Sequence, residues 1–177
     1  MLETARLWFR PYRVDDFLFY LSLWQDPDVV RFIGSGEVHE KAHLKMNYPY
    51  WLSRSELGKG VLVMVLKATQ QPVGHAGLVP IEIDGRLHME LGYWVAKRHW
   101  GRGLATEAAL FFRNLAFEQL HQSEIVSLIQ PNNVRSIRVA QKIGMQHQRD
   151  TVFRGTLVHL YAMDIRTYRE LPHEDQC

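Results

Sequence analysis

The chain carries a single cysteine among its 177 residues, Cys177, so no disulfide can close within it and a reducing, intracellular setting is expected. A thiol at that terminal position reads as an untethered tail residue and not as a nucleophile. Long apolar runs are also missing. No stretch approaches the roughly 18 uncharged apolar residues of a membrane span. Residues 1–4 have no basic start followed by an apolar segment, so no secretory leader is expected. Neither sign of charge dominates: 21 Lys and Arg against 19 Asp and Glu leave +2, too little to point to a nucleic-acid partner. Repeats and low-complexity tracts are absent. What remains is an ordinary globular balance, 46% hydrophobic and 23% charged, which argues against a disordered or fibrous chain. The length suits one domain, expected over residues 1–170, with a polar tail at 171–177 and a cytoplasmic location.

Periodicity orders the elements. Residues 5–10 alternate as a first strand that Pro11 stops. Phe17, Leu18, Leu21 and Trp24 recur at helical spacing within a helix at 14–25, which Asp26-Pro27 ends. A glycine loop at 32–36 precedes a second helix at 37–55, with Pro49 as a break or kink. Three strands follow at 61–67, 73–83 and 86–96, the last two joined by the hairpin signal Asp84-Gly85. The period then changes to a helix over 103–120. A short strand at 124–129 leads to a helix that opens at Pro131-Asn132-Asn133 and stops at Gly144. Two strands, 146–154 and 156–165, close the chain around Gly155. The order predicts a mixed α+β sheet and not a run of βαβ units.

The sharpest motif is Arg98-His99-Trp100-Gly101-Arg102-Gly103-Leu104-Ala105, between a strand and a helix. Glycine lets the backbone approach a ligand closely. The free N–H groups of the helix start and the helix dipole then favour an anion, and Arg98 and Arg102 add positive charge. A pyrophosphate is the natural guest, although a plain turn would carry the same two glycines. A dinucleotide fingerprint fits poorly, because Thr106 stands where it requires Gly or Ala and the preceding strand ends an antiparallel meander.

Arg-x-x-Gly-x-Gly-x-Ala at this place resembles the coenzyme A signature of the GNAT N-acetyltransferase superfamily. Further segments resemble its ribosomal-protein N-acetyltransferase (Rim-type) branch: Thr4-Ala5-Arg6-Leu7 through Arg10-Pro11, Asp26-Pro27-Asp28-Val29, Glu90-Leu91-Gly92-Tyr93-Trp94-Val95, and Asn133-Val134-Arg135-Ser136 followed by Lys142-Ile143-Gly144-Met145. The resemblance implies one GNAT domain, with a mostly antiparallel sheet of about seven strands splayed at the middle and about four flanking helices. It implies acetyl-CoA as donor substrate and no metal. Backbone groups near Trp94 and Val95 would pair with the pantetheine arm. Those of Gly101, Arg102, Gly103, Leu104 and Ala105 would hold the pyrophosphate, with Arg98 beside them, and Asn133 would touch the pantetheine side.

The implied chemistry is direct attack of an amine on the acetyl thioester. Amines of pKa about 8 to 10 must first lose a proton, which a carboxylate beside the acyl site can accept. Glu90 is the expected base, a charge inside an apolar strand; the competing reading is a solvated residue of an edge-like strand. A thiolate of pKa about 8.5 leaves more readily beside a hydrogen-bond donor. Many superfamily members carry a tyrosine seven residues after the asparagine, where this chain has Ala140. The Rim-type branch tends to have a serine at the position of Ser136, which takes the expected donor role; an ordinary first-turn serine is the alternative.

Two further signals compete. His39-Glu40-Lys41-Ala42-His43 spells the zinc-protease pattern, but supplies two ligands where a catalytic zinc needs a third. A chance match on a solvated helix is expected. Trp24, Phe32, Tyr48, Tyr50 and Trp51 lie in or near the first two helices, the region that forms an acceptor wall in the resembled family. The expected activity is N-acetylation of a primary amine, on a protein N-terminus or a small molecule, by a monomer or homodimer. The alternative is an acyl-CoA-binding module without catalysis, which Ala140 motivates.

Overall fold

A computed structural model describes residues 2–58 and 60–172. Cys177 and most of the expected tail lie outside the described residues.

The strands are β1 (Leu2–Glu3), β2 (Leu7–Arg10), β3 (Leu62–Leu66), β4 (Gln71–Ile83), β5 (Arg86–Val95), β6 (Glu124–Ile129), β7 (Gln146–Phe153) and β8 (Thr156–Asp164). They form one sheet in the order β1-β2-β3-β4-β5-β6-β8-β7. Every neighbouring pair is antiparallel except β5 and β6, which run parallel and pair only at Glu90 opposite Val126. β3 is a run of apolar residues because both its faces are covered. β7, an edge strand, is largely exposed and polar, which discourages edge-to-edge pairing.

The helices are α1 (Phe17–Trp24), α2 (Pro27–Val30), α3 (Lys41–Glu56), α4 (Leu104–Asn114), α5 (Val134–Lys142) and α6 (Ile165–Glu170). Alternation along β3 divides the core. Val63 and Val65 face Tyr12, Tyr20, Leu44 and Tyr48 of the α1–α3 layer. Leu62 and Met64 face the larger cluster with Leu104, Ala108, Ala109 and Phe112 of α4 and Ala140 of α5. A π turn, Leu115–Gln119, extends α4 and buries Ala116 and Phe117.

Several boundaries differ from expectation. Residues 37–40 are not helical: Glu40 is extended, with ψ 145°, and α3 starts at Lys41. Pro49 lies inside α3 without ending it. Val14–Asp16 forms a 3₁₀ turn ahead of α1. Pro27 ends one helix and also starts α2, with Asp26 as N-cap accepting from the Asp28 N–H at 3.0 Å. β1 and α6 were not foreseen; two strand residues and a six-residue helix are too short to show a period. Among the described residues the sheet therefore has eight strands with six α-helices, where about seven and about four were expected.

Candidate active site

The fork between β5 and β6 organises the site. The Ala96 N–H donates to the Val73 carbonyl, so Val95 opposite Gly74 is a non-hydrogen-bonded pair of the β4–β5 ladder. Alternation then turns the backbone groups of Leu91, Tyr93 and Val95 towards β6, and those of Trp94 towards β4. At the closed end Ser127 Oγ donates to the Leu91 carbonyl at 2.7 Å. Beyond it β6 diverges. The backbone groups of Tyr93 and the Val95 N–H face the side where β6 has no further ladder partner, while the Val95 carbonyl accepts from Trp100 Nε1 at 2.6 Å. Of the two positions expected to present backbone here, Val95 does so with its N–H. Trp94 contributes its ring instead, and Tyr93 takes its place along the fork.

Glu90 sits at the closed end, half-buried in a central strand, so the solvated-edge reading does not hold. Its side chain leaves the strand on the same face as Gly92 and Trp94, opposite to Leu91, Tyr93 and Val95. Burial pushes its carboxyl up to about 7, against an N–H bond from Leu128 and the nearby Arg154 charge, both of which favour the ionised form. A Cβ at Gly92 would meet nothing within 4 Å, so the floor between Glu90 and Trp94 is open. Trp94 packs against Trp24, with ring centroids 4.7 Å apart, and near Trp51, at 5.9 Å. Behind them, fully buried His75 lies on Trp51 and meets the Tyr12 hydroxyl through Nδ1 at 2.6 Å. Burial drops His75 to about 3, so it stays neutral. The buried Trp24 Nε1 has no hydrogen-bond partner among the described residues. Across the trough, Gln130 Nε2 and Thr156 Oγ1 both donate to the Gly34 carbonyl, tying the loop after α2 to the end of β6 and the start of β8.

At the open end the chain turns through Lys97–His99 into the glycine motif. Gly101 and Gly103 have φ of 74° and 75°, a left-handed conformation that side chains rarely adopt. A Cβ on Gly101 would point into empty space, and one on Gly103 would meet only Arg6 Nη2 at 3.5 Å. Gly103 is the N-cap of α4, so the N–H groups of Leu104 and Ala105 in the first turn have no helical acceptor. Gly101, Arg98 and Arg102 are exposed. An anion fits this cradle.

A bracket not foreseen in the sequence holds it in shape. The Glu107 carboxylate takes Thr4 Oγ1 at 2.6 Å, the Arg6 N–H at 2.9 Å and Arg6 Nε at 2.6 Å, while Arg6 Nη1 donates to the Arg102 carbonyl at 2.8 Å. The Arg6 bond to Glu107 keeps that carboxyl below its ordinary value together with the Thr4 hydroxyl, and these outweigh burial, the largest single influence.

The second wall is α5. Asn133 is its N-cap, accepting from the Ser136 N–H at 3.2 Å, so its side chain shapes the helix start. Ser136 is half-buried in the first turn. Tyr93 reaches across from β5 and donates to the Ser136 carbonyl at 3.3 Å, and burial raises its phenol well above the ordinary value. The guanidinium of Arg135 lies 4.5 Å above the Trp100 ring, joining α5 to the glycine turn. Tyr93 and Arg135 were both missed as site residues. Alternation on β5 and the first-turn position on α5 were the available signals. Ala140 is 2% exposed and packs in the core, so no polar group replaces a tyrosine there.

The histidine pair of the zinc-protease pattern does not converge on a metal site. His39 precedes α3, Glu40 caps it, and the His43 Nε2 pairs with Asn47 Nδ2 at 2.8 Å. No third ligand joins them among the described residues.

A forked mixed sheet with a glycine-led helix start at its mouth defines a coenzyme A-dependent acyltransferase. Residues 6–146 match the acetyltransferase (GNAT) domain model, and the chain belongs to that family. It is 36% identical to the uncharacterized protein YkkB of Bacillus subtilis over 137 residues, 76% of this chain and 78% of YkkB. The solved acetyltransferase of Agrobacterium tumefaciens superposes with a TM-score of 0.75 at 28% identity, covering 92% of each chain. The fold is shared with a spermidine N-acetyltransferase of Vibrio cholerae solved with CoA and spermine, at a TM-score of 0.76 and 17% identity, over 94% of this chain and all of that one. The protein is an acetyl-CoA-dependent N-acetyltransferase with a GNAT fold.

Proposed function

We propose that the enzyme acetylates a primary amine, a protein N-terminus or a small-molecule amine, by direct attack in a ternary complex with acetyl-CoA. We assign it to the ribosomal-protein N-acetyltransferase branch on the motifs at residues 4–11, 26–29, 90–95 and 133–145. The observation that carries the mechanism is Glu90: a carboxyl near pKa 7 at the closed end of the fork, facing the open floor over Gly92.

In this reading the pyrophosphate rests on the N–H groups of Gly101, Arg102, Gly103, Leu104 and Ala105, with Arg98, Arg102 and Arg135 around it. The pantetheine arm runs into the fork beside Tyr93, Val95 and Asn133. The Val95 N–H, free on the fork side, polarises the thioester carbonyl. The amine comes over Gly92 between the tryptophans, and its proton passes to Glu90, directly or through a water. The nitrogen forms a bond to the acyl carbon, the C–S bond breaks, and the thiolate leaves with a hydrogen bond from the corner where Ser136 and Tyr93 meet, taking up the second proton that the nitrogen sheds as it becomes an amide. Ser136 is the assigned donor, and Tyr93 positions it through the Ser136 carbonyl. The described residues contain no helix long and apolar enough to cross a membrane, and we place the reaction in the cytoplasm, on a monomer or homodimer without nucleic acid.

The test is a turnover screen with N-terminal peptides and small amines. Amine-dependent release of free coenzyme A is expected, and Glu90→Gln should lower kcat about 10²- to 10⁴-fold with acetyl-CoA affinity little changed. Acetyl-CoA binding without transfer to any acceptor in the panel would favour the alternative of an acyl-CoA-binding module.

A further inference from the structure

Away from the fork, three metal-ligating side chains converge on the β7–β8 hairpin. The register of β7 against β8 shifts between His147 and Arg149. On an unbroken strand residues 147 and 150, an odd number apart, would face opposite sides of the sheet. The extra residue, Gln148, turns them to the same side. Asp150 then stands opposite His159, and His147 opposite Tyr161, which shares a face with His159 two residues earlier. Asp150 Oδ1 accepts from His147 Nε2 at 2.9 Å and from His159 Nδ1 at 2.5 Å. The two imidazoles meet edge to face with centroids 4.9 Å apart.

We propose that His147, Asp150 and His159 form a binding site for a divalent transition-metal ion of the zinc type, separate from the acyl-transfer fork. Two imidazoles and one carboxylate are a donor set that zinc accepts, with a solvent molecule as fourth ligand. The three donor atoms lie within 4.8 Å of one another. Metal–ligand bonds of about 2.1 Å in a tetrahedron separate the donors by roughly 3.4 Å. That spacing falls between the hydrogen-bonded distances seen here and the outer limit of the cluster, so small side-chain rotations admit the ion once each imidazole carries its proton on the nitrogen turned away from Asp150. The adjacent cation, Arg149, points to the other face, where it bonds Asp84 at 2.5 Å. An open cleft of about 460 Å³ adjoins His147 and Tyr161 on one side of the cluster. The side chains of His147 and Asp150 are 45% and 54% exposed, so the ion would exchange with solvent. Acetyl transfer needs no metal; bound here, the ion would clamp the edge strand β7 to β8 across its bulge.

The test uses the tag-free full chain, titrated calorimetrically with ZnCl₂ and followed with CoCl₂ by visible absorption. One ion per chain is expected, with the absorption bands of a four-coordinate Co²⁺ site. His147→Ala and His159→Ala should each weaken binding about tenfold or more, and His43→Ala should leave it unchanged. Where an alanine variant melts early in EDTA, Asp150→Asn and His159→Gln give the same reading on a folded chain. No stoichiometric uptake, or uptake lost in His43→Ala but kept in His147→Ala and His159→Ala, overturns the proposal. Acetyl transfer should run equally in EDTA and in zinc. Strict zinc dependence would place the ion in the fork and refute this site.

Discussion

At Glu90, burial and the proposed reaction pull against each other. Burial favours the neutral acid, whereas attack by the amine requires the carboxylate. The rate should therefore rise with pH through about 7, the value of that group, in a kcat/KM profile. Its effect on stability has the opposite slope. A carboxyl raised from 4.5 to about 7 makes the fold bind the extra proton, so stability falls as pH climbs across that interval. Glu90→Gln removes the penalty, and should gain up to about 3 kcal/mol on wild type between pH 4.5 and pH 8 in urea unfolding. An equal difference at both pH values would contradict the assignment. His75 works from the acid side. Neutral in the core down to about 3, it contributes stability that is complete above the ordinary histidine value of 6.5 and is lost as pH falls below it. His75→Gln should flatten the loss of Tm between pH 6.5 and pH 4, even if it lowers Tm throughout. Neither shift was legible from residue type: Glu90 could be named as the base from its place in an apolar strand, but its acidity depends on what covers it.

The strand-to-helix turn at residues 98–105 was readable because its demands are local. A left-handed φ at two positions calls for glycine, and a helix start that receives an anion leaves its N–H groups free. Gly103→Trp should abolish coenzyme A binding, both by filling the cradle and by straining a φ of 75°. Calorimetric titration with acetyl-CoA checks it, and retained affinity would move the site elsewhere. The bracket of Thr4, Arg6 and Glu107 was unreadable, because its members lie about a hundred positions apart and meet only through the sheet. Arg6→Ala should weaken acetyl-CoA binding about threefold to tenfold through a looser Arg102 carbonyl. Arg6 is 49% exposed, so the change in Tm should stay within about 4 °C. The bulge at Gln148 belongs to the same class. It changes which residues share a face, and alternation read from sequence passes over it.

For the whole molecule, the decisive feature is that β5 and β6 share one bridge and then part. The parting leaves backbone groups of Tyr93 and the Val95 N–H on the β6 side without a strand partner in the ladder, and an unpaired N–H inside a sheet calls for a partner. The same topology puts the α1–α3 layer on one face and α4 and α5 on the other, so the tryptophans cluster on the face of β5 that carries Glu90 and Gly92 while the glycine turn meets Arg135. The residues themselves sufficed for the α+β class, for most strand and helix positions, for the glycine cradle and for the family. Each depends on spacing within a short window, where period, turn chemistry and helix-end chemistry operate. Only the folded chain decided that Trp94 faces the trough through its ring while Tyr93 and Val95 line the fork, that Tyr93 and Arg135 join the site, that Glu90 is held near neutrality, and that His147, Asp150 and His159 converge while His39 and His43 find no third ligand. Those outcomes rest on register, burial and long-range contact, which a chain acquires only when its strands take their partners.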